Sequence, residues 1–90
     1  MLPLIVGVMS ISEAFGQIVR GLRQKKGLSQ EDLAGLCGLH RNAIGLLERG
    51  ERIPSIETAF ALAHGLGIKP STLMRKLETN PSSGAWKPRD

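Results

Sequence analysis

Apolar residues recur along the chain at the three-to-four-residue spacing of amphipathic helices. The first such run lies at i, i+3, i+4 and i+7 and predicts a first helix: Phe15, Ile18, Val19 and Leu22. Ser12 is the expected N-cap, because its hydroxyl can accept a hydrogen bond from a free backbone N–H of the first turn. Gly27 is expected to end this helix after about Lys26.

Two short helical patterns follow between residues 30 and 50, and Gly38 separates them. The first covers residues 29–36, and its apolar face is formed by Leu33, Ala34 and Cys37. The second covers residues 40–49, and its core contacts are Ile44 and Leu47, with Leu39 filling the gap between the helices. Glycine adopts the positive φ of a sharp turn without steric cost. The pattern predicts a helix-turn-helix unit, and an ordinary αα-hairpin of a small bundle is the alternative.

Serine residues are expected to cap the second and fourth helices. Ser29 precedes helix two and has Asp32 three residues later, an Asp variant of the capping box. Ser55 precedes helix four, and Gly67 stops it. The predicted buried stripe of helix four consists of Ile56, Ala59, Phe60 and Ala63, widened by Leu62 and Leu66.

Pro70 suits the first position of a fifth helix, which is expected to run to about Glu78. One side of this helix carries Leu73, Met74 and Leu77. The periodicity therefore predicts an all-α fold with a helix-turn-helix domain over residues 12–78.

The two ends differ in composition from this domain. Residues 1–11 are apolar without helical spacing, and we consider an added strand, a dimer contact or a non-native extension, with Met9 as a possible alternative start. Residues 79–90 are turn-rich and polar, and we expect a flexible C-terminal tail. Trp86 either packs loosely in this tail or anchors it on a partner.

Composition narrows the range of partners. Ninety residues suffice for one domain, and 12 Lys and Arg against 8 Asp and Glu give a net charge of +4. This balance suits an anionic partner. Three aromatic residues are too few for the stacking platforms of single-strand or RNA binders. The lone Cys37 excludes an internal disulfide, and the first nine residues are too short to span a membrane, so we expect a cytoplasmic protein.

No residue constellation suggests catalysis, a metal site or a cofactor. His40 and His64 are far apart in sequence, and Cys37 lies on a predicted core face. Glu31 and Asp32 are adjacent, so on a helix they point about 100° apart and do not form a carboxylate dyad. We therefore expect a binding protein and not an enzyme.

Four stretches carry a family resemblance, and they lie at residues 27–34, 44–50, 54–58 and 62–67. Residues 15–78 resemble the phage-repressor-like (Cro/C1, XRE-type) helix-turn-helix family. This resemblance implies a compact five-helix, lambda-repressor-like DNA-binding domain. The shorter stretches 40–42 and 47–52 are similar to restriction–modification controller proteins, which are dimers built through helix five. An antitoxin-like or a phage-type repressor would fit the same short sequence.

The second helix of such a pair enters the major groove of DNA with its N-terminal residues on base edges. Because Ile44 and Leu47 face the core, the outward positions are Arg41, Asn42, Gly45 and Leu46. Arg41 suits guanine and Asn42 suits adenine, whereas Leu46 suits a thymine methyl group. The alternatives are that Arg41 binds only phosphate and that Leu46 is a solitary surface leucine.

Phosphate contacts are expected from the ends of helices, where free N–H groups and a partial positive charge attract anions. The candidate residues are Ser29, Gln30, His40, Arg49, Arg52 and Ser55. The family resemblance implies that Gln30 grips the DNA backbone, and that Arg23 forms a buried ion pair with Glu48 that fixes helix one against helix three. The expected dimer interface consists of Leu73, Met74 and Leu77, with Met74 beside the core stripe and nearest its symmetry mate.

These observations predict a sequence-specific regulator of transcription that binds double-stranded DNA, as a homodimer on a palindromic operator. The chain has no room for a sensor domain, so no small-molecule effector is expected, and no membrane partner is expected. The alternative is a protein-interaction adaptor, antitoxin-like or scaffold, that keeps the fold with weak or no DNA binding. The pairing of Gly45 with Leu46 supports this alternative, because a base-contacting surface usually has more polar groups.

Overall fold

The computed structural model describes residues 9–80. Its helices are α1 (Ile11–Lys25), α2 (Gln30–Cys37), α3 (Arg41–Glu48), α4 (Ile56–Leu66) and α5 (Pro70–Thr79). No strand occurs within residues 9–80, and the predicted all-α, five-helix architecture is confirmed. The expectations for the apolar residues 1–8 and for residues 81–90, including Trp86, lie outside the described residues.

The first helix begins earlier than predicted. Its N-cap is Ser10 and not Ser12, so α1 includes Ile11, which the sequence had suggested belonged to the extension. The Ser10 hydroxyl accepts from the Glu13 N–H at 3.0 Å, and the Glu13 carboxylate accepts from the Ser10 N–H at 2.9 Å. This reciprocal capping box requires an acidic or amide side chain three residues after the cap, and Ser10 has one.

The predicted caps of the other helices are confirmed. Ser29 and Asp32 form a capping box with both bonds at 2.9 Å, and the bond from the Ser29 backbone N–H lowers the pKa of the Asp32 carboxyl. Gly38 closes α2 with φ of 71°, a left-handed conformation that residues with a Cβ rarely adopt. Ser55 caps α4, and Pro70 starts α5.

One hydrophobic core joins all five helices. The pair α2 and α3 packs together, α1 lies on α3, and α4 lies on α2. The last helix, α5, covers the core from the side of α1 and α4. The largest fully buried side chains are Val19, Leu33, Ile44, Leu47, Leu62, Leu66 and Leu73.

The predicted buried stripe of α4 is partly wrong. Ile56 and Phe60 are 74% and 57% exposed. The buried residues are instead Ala59, Leu62, Ala63 and Leu66, which also follow the i, i+3, i+4, i+7 spacing. Because most of α4 is apolar, two overlapping stripes fit the same periodicity. They share Ala59 and Ala63, and packing in the assembled core buries Leu62 and Leu66 in place of Ile56 and Phe60.

Two glycines allow close helix crossings. A Cβ at Gly16 of α1 would collide with the backbone carbonyls of Leu47 and Glu48 in α3. A Cβ at Gly65 of α4 would lie 2.6 Å from the Cys37 sulfur of α2. These contacts hold α3 against α1 and α2 against α4, and they set the position of the helix-turn-helix pair on the core.

Candidate nucleic-acid interface

The N-terminal end of α3 presents polar side chains to solvent. Ile44 and Leu47 are buried in the core, which fixes the rotation of the helix. Arg41 and Asn42 fall on the opposite, exposed side. His40, the N-cap residue, is also exposed, and its side chain makes no capping hydrogen bond. The first turn of α3 therefore offers hydrogen-bonding groups that the fold itself does not use.

A shallow groove of about 400 Å³ runs beside this turn and collects six of the expected contact residues. It is lined by Gln30, Arg41, Asn42, Gly45, Leu46 and Arg49. All four expected base contacts thus share one surface with two expected phosphate contacts. Donors and acceptors of amide and guanidinium groups surround a small apolar floor, a combination suited to the edge of a base pair.

Gly45 lines this groove, but it is buried and not exposed as expected. A Cβ built at Gly45 would lie 3.3 Å from Arg49 Nη1 and 3.8 Å from the Gln30 amide. These two long side chains fold over the glycine and cover it. Leu46 beside it is half-buried, and not fully exposed as expected. The close approach that Gly45 would permit therefore requires Arg49 to move aside.

Arg23 and Glu48 lie together in the interior, as the family resemblance implied. Arg23 Nε donates to Glu48 Oε2 at 2.6 Å, and Arg23 Nη2 donates to Glu48 Oε1 at 3.0 Å. Arg23 Nη1 also donates to the Leu28 carbonyl at 2.8 Å. The hydrogen bonds to Glu48 raise the pKa of Arg23 although desolvation opposes them. The pair ties the C-terminal half of α1 to the end of α3.

Gln30 joins this ion pair, a link that the sequence did not reveal. Its side-chain Nε2 donates to Glu48 Oε1 at 3.0 Å. The two residues are 18 positions apart, and no local pattern connects them. The bond orients the Gln30 amide at the edge of the groove. Glu48 therefore positions an expected DNA contact as well as the two helices.

The remaining expected phosphate contacts differ in their surroundings. Arg49 Nε lies 3.1 Å from Glu51 Oε2, and both side chains are more than half exposed. Arg52 is exposed. The hydroxyls of Ser29 and Ser55 accept from their own helices, and Ser55 also donates to Thr58 Oγ1 at 3.0 Å. The Ser55 hydroxyl is thus engaged in the cap, and backbone N–H groups are the donors that α4 offers.

The expected dimer residues on α5 are not equivalent. Leu73 is fully buried and belongs to the core, so it cannot contact a partner. Met74 is 43% exposed, and Leu77 is half-buried. Met74 and Leu77 line an apolar depression of about 310 Å³ together with Ile11 and Glu78.

Other kinds of site find no support in the described range. Within residues 9–80, no three His, Cys, Asp or Glu side chains come close enough to hold a metal ion. No helix in this range is long and apolar enough to cross a membrane. Cys37 packs against the core, and burial raises the pKa of its thiol. A raised pKa disfavours the reactive thiolate, as expected for a structural cysteine.

A comparison with known families connects this geometry to a class of proteins. The helix-turn-helix family matches residues 19–73, more than half of the chain, and this range contains α2, the turn at Gly38 and α3. The chain belongs to the helix-turn-helix family. In helix-turn-helix proteins the second helix of the motif enters the major groove of DNA, and in this chain that helix is α3.

Relatives within the helix-turn-helix family include restriction–modification controllers. The chain is 43% identical to control protein C.BamHI of Bacillus amyloliquefaciens over 61 residues, covering 67% of this chain and 75% of the relative. It is 40% identical to control protein C.SmaI of Serratia marcescens over 68 residues, which cover 76% of this chain and 81% of the relative. The crystal structure of restriction–modification controller protein C.AhdI from Aeromonas hydrophila matches with a TM-score of 0.66 and 49% identity. The match covers 68% of this chain and 92% of that chain. The predicted resemblance to controller proteins is confirmed.

Proposed function

We propose that this helix-turn-helix protein is a sequence-specific regulator of transcription that binds a palindromic operator in double-stranded DNA as a homodimer. The observation that supports this most strongly is the groove at the N-terminal end of α3, because it brings Arg41 and Asn42 beside Gln30 and Arg49. Side chains that match base edges and side chains that match phosphates thus face the same ligand. The names of the relatives, control protein and controller protein, favour regulation of gene expression.

Base contacts come from the first two turns of α3. Arg41 donates to guanine O6 and N7, and Asn42 both donates to and accepts from adenine. Leu46 supplies an apolar contact to a thymine methyl group. Gly45 lets α3 approach the groove floor once Arg49 has turned toward the DNA, and the side-chain end of Arg49 is the part nearest to Gly45.

Phosphate contacts come from the flanks of α3. The N-terminus of α2 offers free N–H groups beside Ser29 and Gln30, and the start of α4 at Ser55 offers more. His40, Arg49 and Arg52 add side-chain donors. The exposed Arg49–Glu51 ion pair does not prevent this, because such surface pairs contribute only about 0–1 kcal/mol and a phosphate can replace the carboxylate.

The protein acts by binding in the cytoplasm, with no catalytic role, no cofactor and no small-molecule effector. Its partners are double-stranded DNA and a second copy of the chain, with no membrane partner. The net charge of +4 suits the approach to an anionic polymer.

A salt titration tests DNA binding. If each subunit neutralises about four phosphates, the logarithm of affinity of a dimer should fall against the logarithm of salt concentration with a slope near −7. Gln30→Ala and Arg52→Ala should weaken binding to all duplexes alike and reduce the slope. Arg75→Ala on α5 is the matched control, because it removes an exposed cation distant in the fold from α3. A protein-interaction adaptor would bind no duplex even at low salt, and that result would contradict the proposal.

A further inference from the structure

A small apolar depression lies between the start of α1 and the C-terminal half of α5. It has a volume of about 310 Å³ and is lined by Ile11, Met74, Leu77 and Glu78. Ile11 and Met74 are 36% and 43% exposed, and Leu77 is half-buried. Three of the four lining side chains are therefore apolar and reach solvent. We call these four residues the α1–α5 depression.

The α1–α5 depression is separate from the groove that faces DNA. That groove is lined by residues of α2 and α3 and by Arg49. The depression lies instead where α1 and α5 pack together, and Leu77 also packs against the hydrophobic core. An apolar group placed in the depression would therefore extend the core outward, and burial of apolar surface is favourable.

We propose that residues 1–8 of the same chain occupy the α1–α5 depression. Their sequence is Met-Leu-Pro-Leu-Ile-Val-Gly-Val, which contains no charged or polar side chain. Such a segment and such a depression each lose apolar surface to water unless they cover one another. The proposal assigns Met74 and Leu77 to a contact within one chain, in place of the dimer contact that the sequence suggested. It does not depend on DNA binding.

The connection of residues 1–8 to α1 supports this segment as the occupant. Val8 precedes Ile11 by three positions, and Ile11 itself lines the depression, so the segment is attached at its rim. Gly7 has no Cβ and allows the chain to turn sharply there. A segment held by so short a tether has an effective concentration of about a millimolar at its site, which compensates for a small contact area.

The other groove beside the start of α1 has the opposite character. It has a volume of about 610 Å³, and most of its lining residues are charged: Met9, Glu13, Gln17, Arg20, Glu48, Arg49 and Glu51. Apolar side chains placed there would remove charged groups from water without pairing them, which is unfavourable. In the α1–α5 depression the charged residue is Glu78, which is exposed and can stay in water. The composition of residues 1–8 therefore favours the depression.

Nuclear Overhauser effects between methyl groups test this contact in the full chain without DNA. Carbon-13 methyl labelling of methionine, isoleucine, leucine and valine makes Met74 and residues 1–8 visible in one sample. The Cε methyl of Met74 should show cross-peaks to methyl groups of residues 4–6. A sample mixed from labelled and unlabelled chains identifies contacts between copies, and we expect the cross-peaks to arise within one chain.

Three variants that add the same charge test where the segment docks. Met74→Glu should release residues 4–6, so their backbone order parameters should fall from about 0.85 to below about 0.6. Ile5→Glu should have the same effect and alters no residue of the five helices. Phe60→Glu is the matched control, because it changes an exposed apolar residue of α4, and it should leave these order parameters unchanged. Circular dichroism should show that all three variants keep their helices.

Several results would overturn the proposal. Order parameters below about 0.6 for residues 4–6 of the unaltered chain would show that the segment does not dock. Cross-peaks to Met74 that arise only between copies would show that a second chain occupies the depression. Release of the segment by Phe60→Glu and not by Met74→Glu would place it on α4.

Discussion

Glu48 is the residue on which the interior and the DNA-facing surface meet. Its carboxylate accepts two bonds from Arg23 and one from Gln30, and its side chain is 2% exposed. A buried carboxylate is costly unless such donors compensate its charge. Here the donors come from α1 and α2, and the acceptor comes from α3. The hydrogen bonds that compensate this charge therefore also fix the positions of α2 and α3, the two helices of the motif.

Removing Arg23 should destabilise the fold strongly. Arg23→Met leaves Glu48 charged and buried with only Gln30 as a side-chain donor, and breaking a buried pair costs about 3–5 kcal/mol. We expect the lower end of this range, because the Gln30 bond remains. The free energy of unfolding, measured with urea, should fall accordingly.

The double change Arg23→Met with Glu48→Leu is the control for this prediction. Replacing both partners removes the uncompensated charge, so much of the lost stability should return. An Arg23→Met protein with an unchanged unfolding midpoint would show that the pair does not stabilise the fold.

Leu46 allows a test of base contact by a single methyl group. Replacing thymine by uracil in a bound site removes only the C5-methyl, and binding should weaken by about 1 kcal/mol, comparable to one buried methylene. Leu46→Ala should abolish the difference between thymine and uracil and leave non-specific binding intact. If uracil throughout the site changes nothing, Leu46 does not contact a methyl, and specificity must come from Arg41, Asn42 and DNA shape.

At the scale of the elements, the crossing of α1 and α3 depends on a residue without a side chain. Gly16 faces the carbonyl groups at the end of α3, and these are backbone atoms that cannot turn aside. Gly65 plays the same part between α4 and α2. Helix periodicity describes which face is buried and says nothing of how closely two backbones approach. The importance of both glycines therefore became visible only in the assembled fold.

Two glycine substitutions in α1 should have opposite effects on stability. Gly16→Ala should destabilise by about 1–3 kcal/mol or more through overpacking, although alanine favours a helix. Gly21→Ala, in the same helix with open space around the added carbon, should stabilise by roughly 0.5–1 kcal/mol. Urea unfolding of both variants measures the contrast. Equal effects at the two positions would mean that α1 and α3 do not cross closely.

Elements defined by local chemistry could be predicted from the sequence, and elements defined by packing could not. The caps at Ser29 and Ser55 and the helix start at Pro70 depend on neighbouring residues, and all three were correct. The start of α1 was misplaced because the capping box at Ser10 competes with another plausible serine. The exposed Phe60 was missed because only tertiary packing distinguishes the two apolar stripes of α4.

The candidate site shows the same division. Arg41 and Asn42 could be found because the core residues Ile44 and Leu47 fix the rotation of α3. The covering of Gly45 could not be found, since the side chains responsible come from α2 and from the end of α3. Long flexible side chains decide such contacts, and their positions depend on every neighbouring element.

On the scale of the whole molecule, the expected base contacts and several of the expected phosphate contacts lie in different places. The groove belongs to α2 and α3, whereas Arg52 lies in the loop after α3 and Ser55 caps α4. This separation allows variants that affect base preference and variants that affect overall affinity to be examined independently. A substitution at Arg52 should weaken binding without altering the preferred bases.

Selection of binding sites from a random duplex library tests sequence-specific binding through α3 most directly. The unaltered protein should enrich a two-fold symmetric sequence with a guanine in each half-site. Arg41→Ala should weaken binding to the selected site by about 1–3 kcal/mol and should lose the preference at that guanine alone. Enrichment of no sequence by the unaltered protein, or of the same guanine by Arg41→Ala, would contradict base recognition by α3 as proposed.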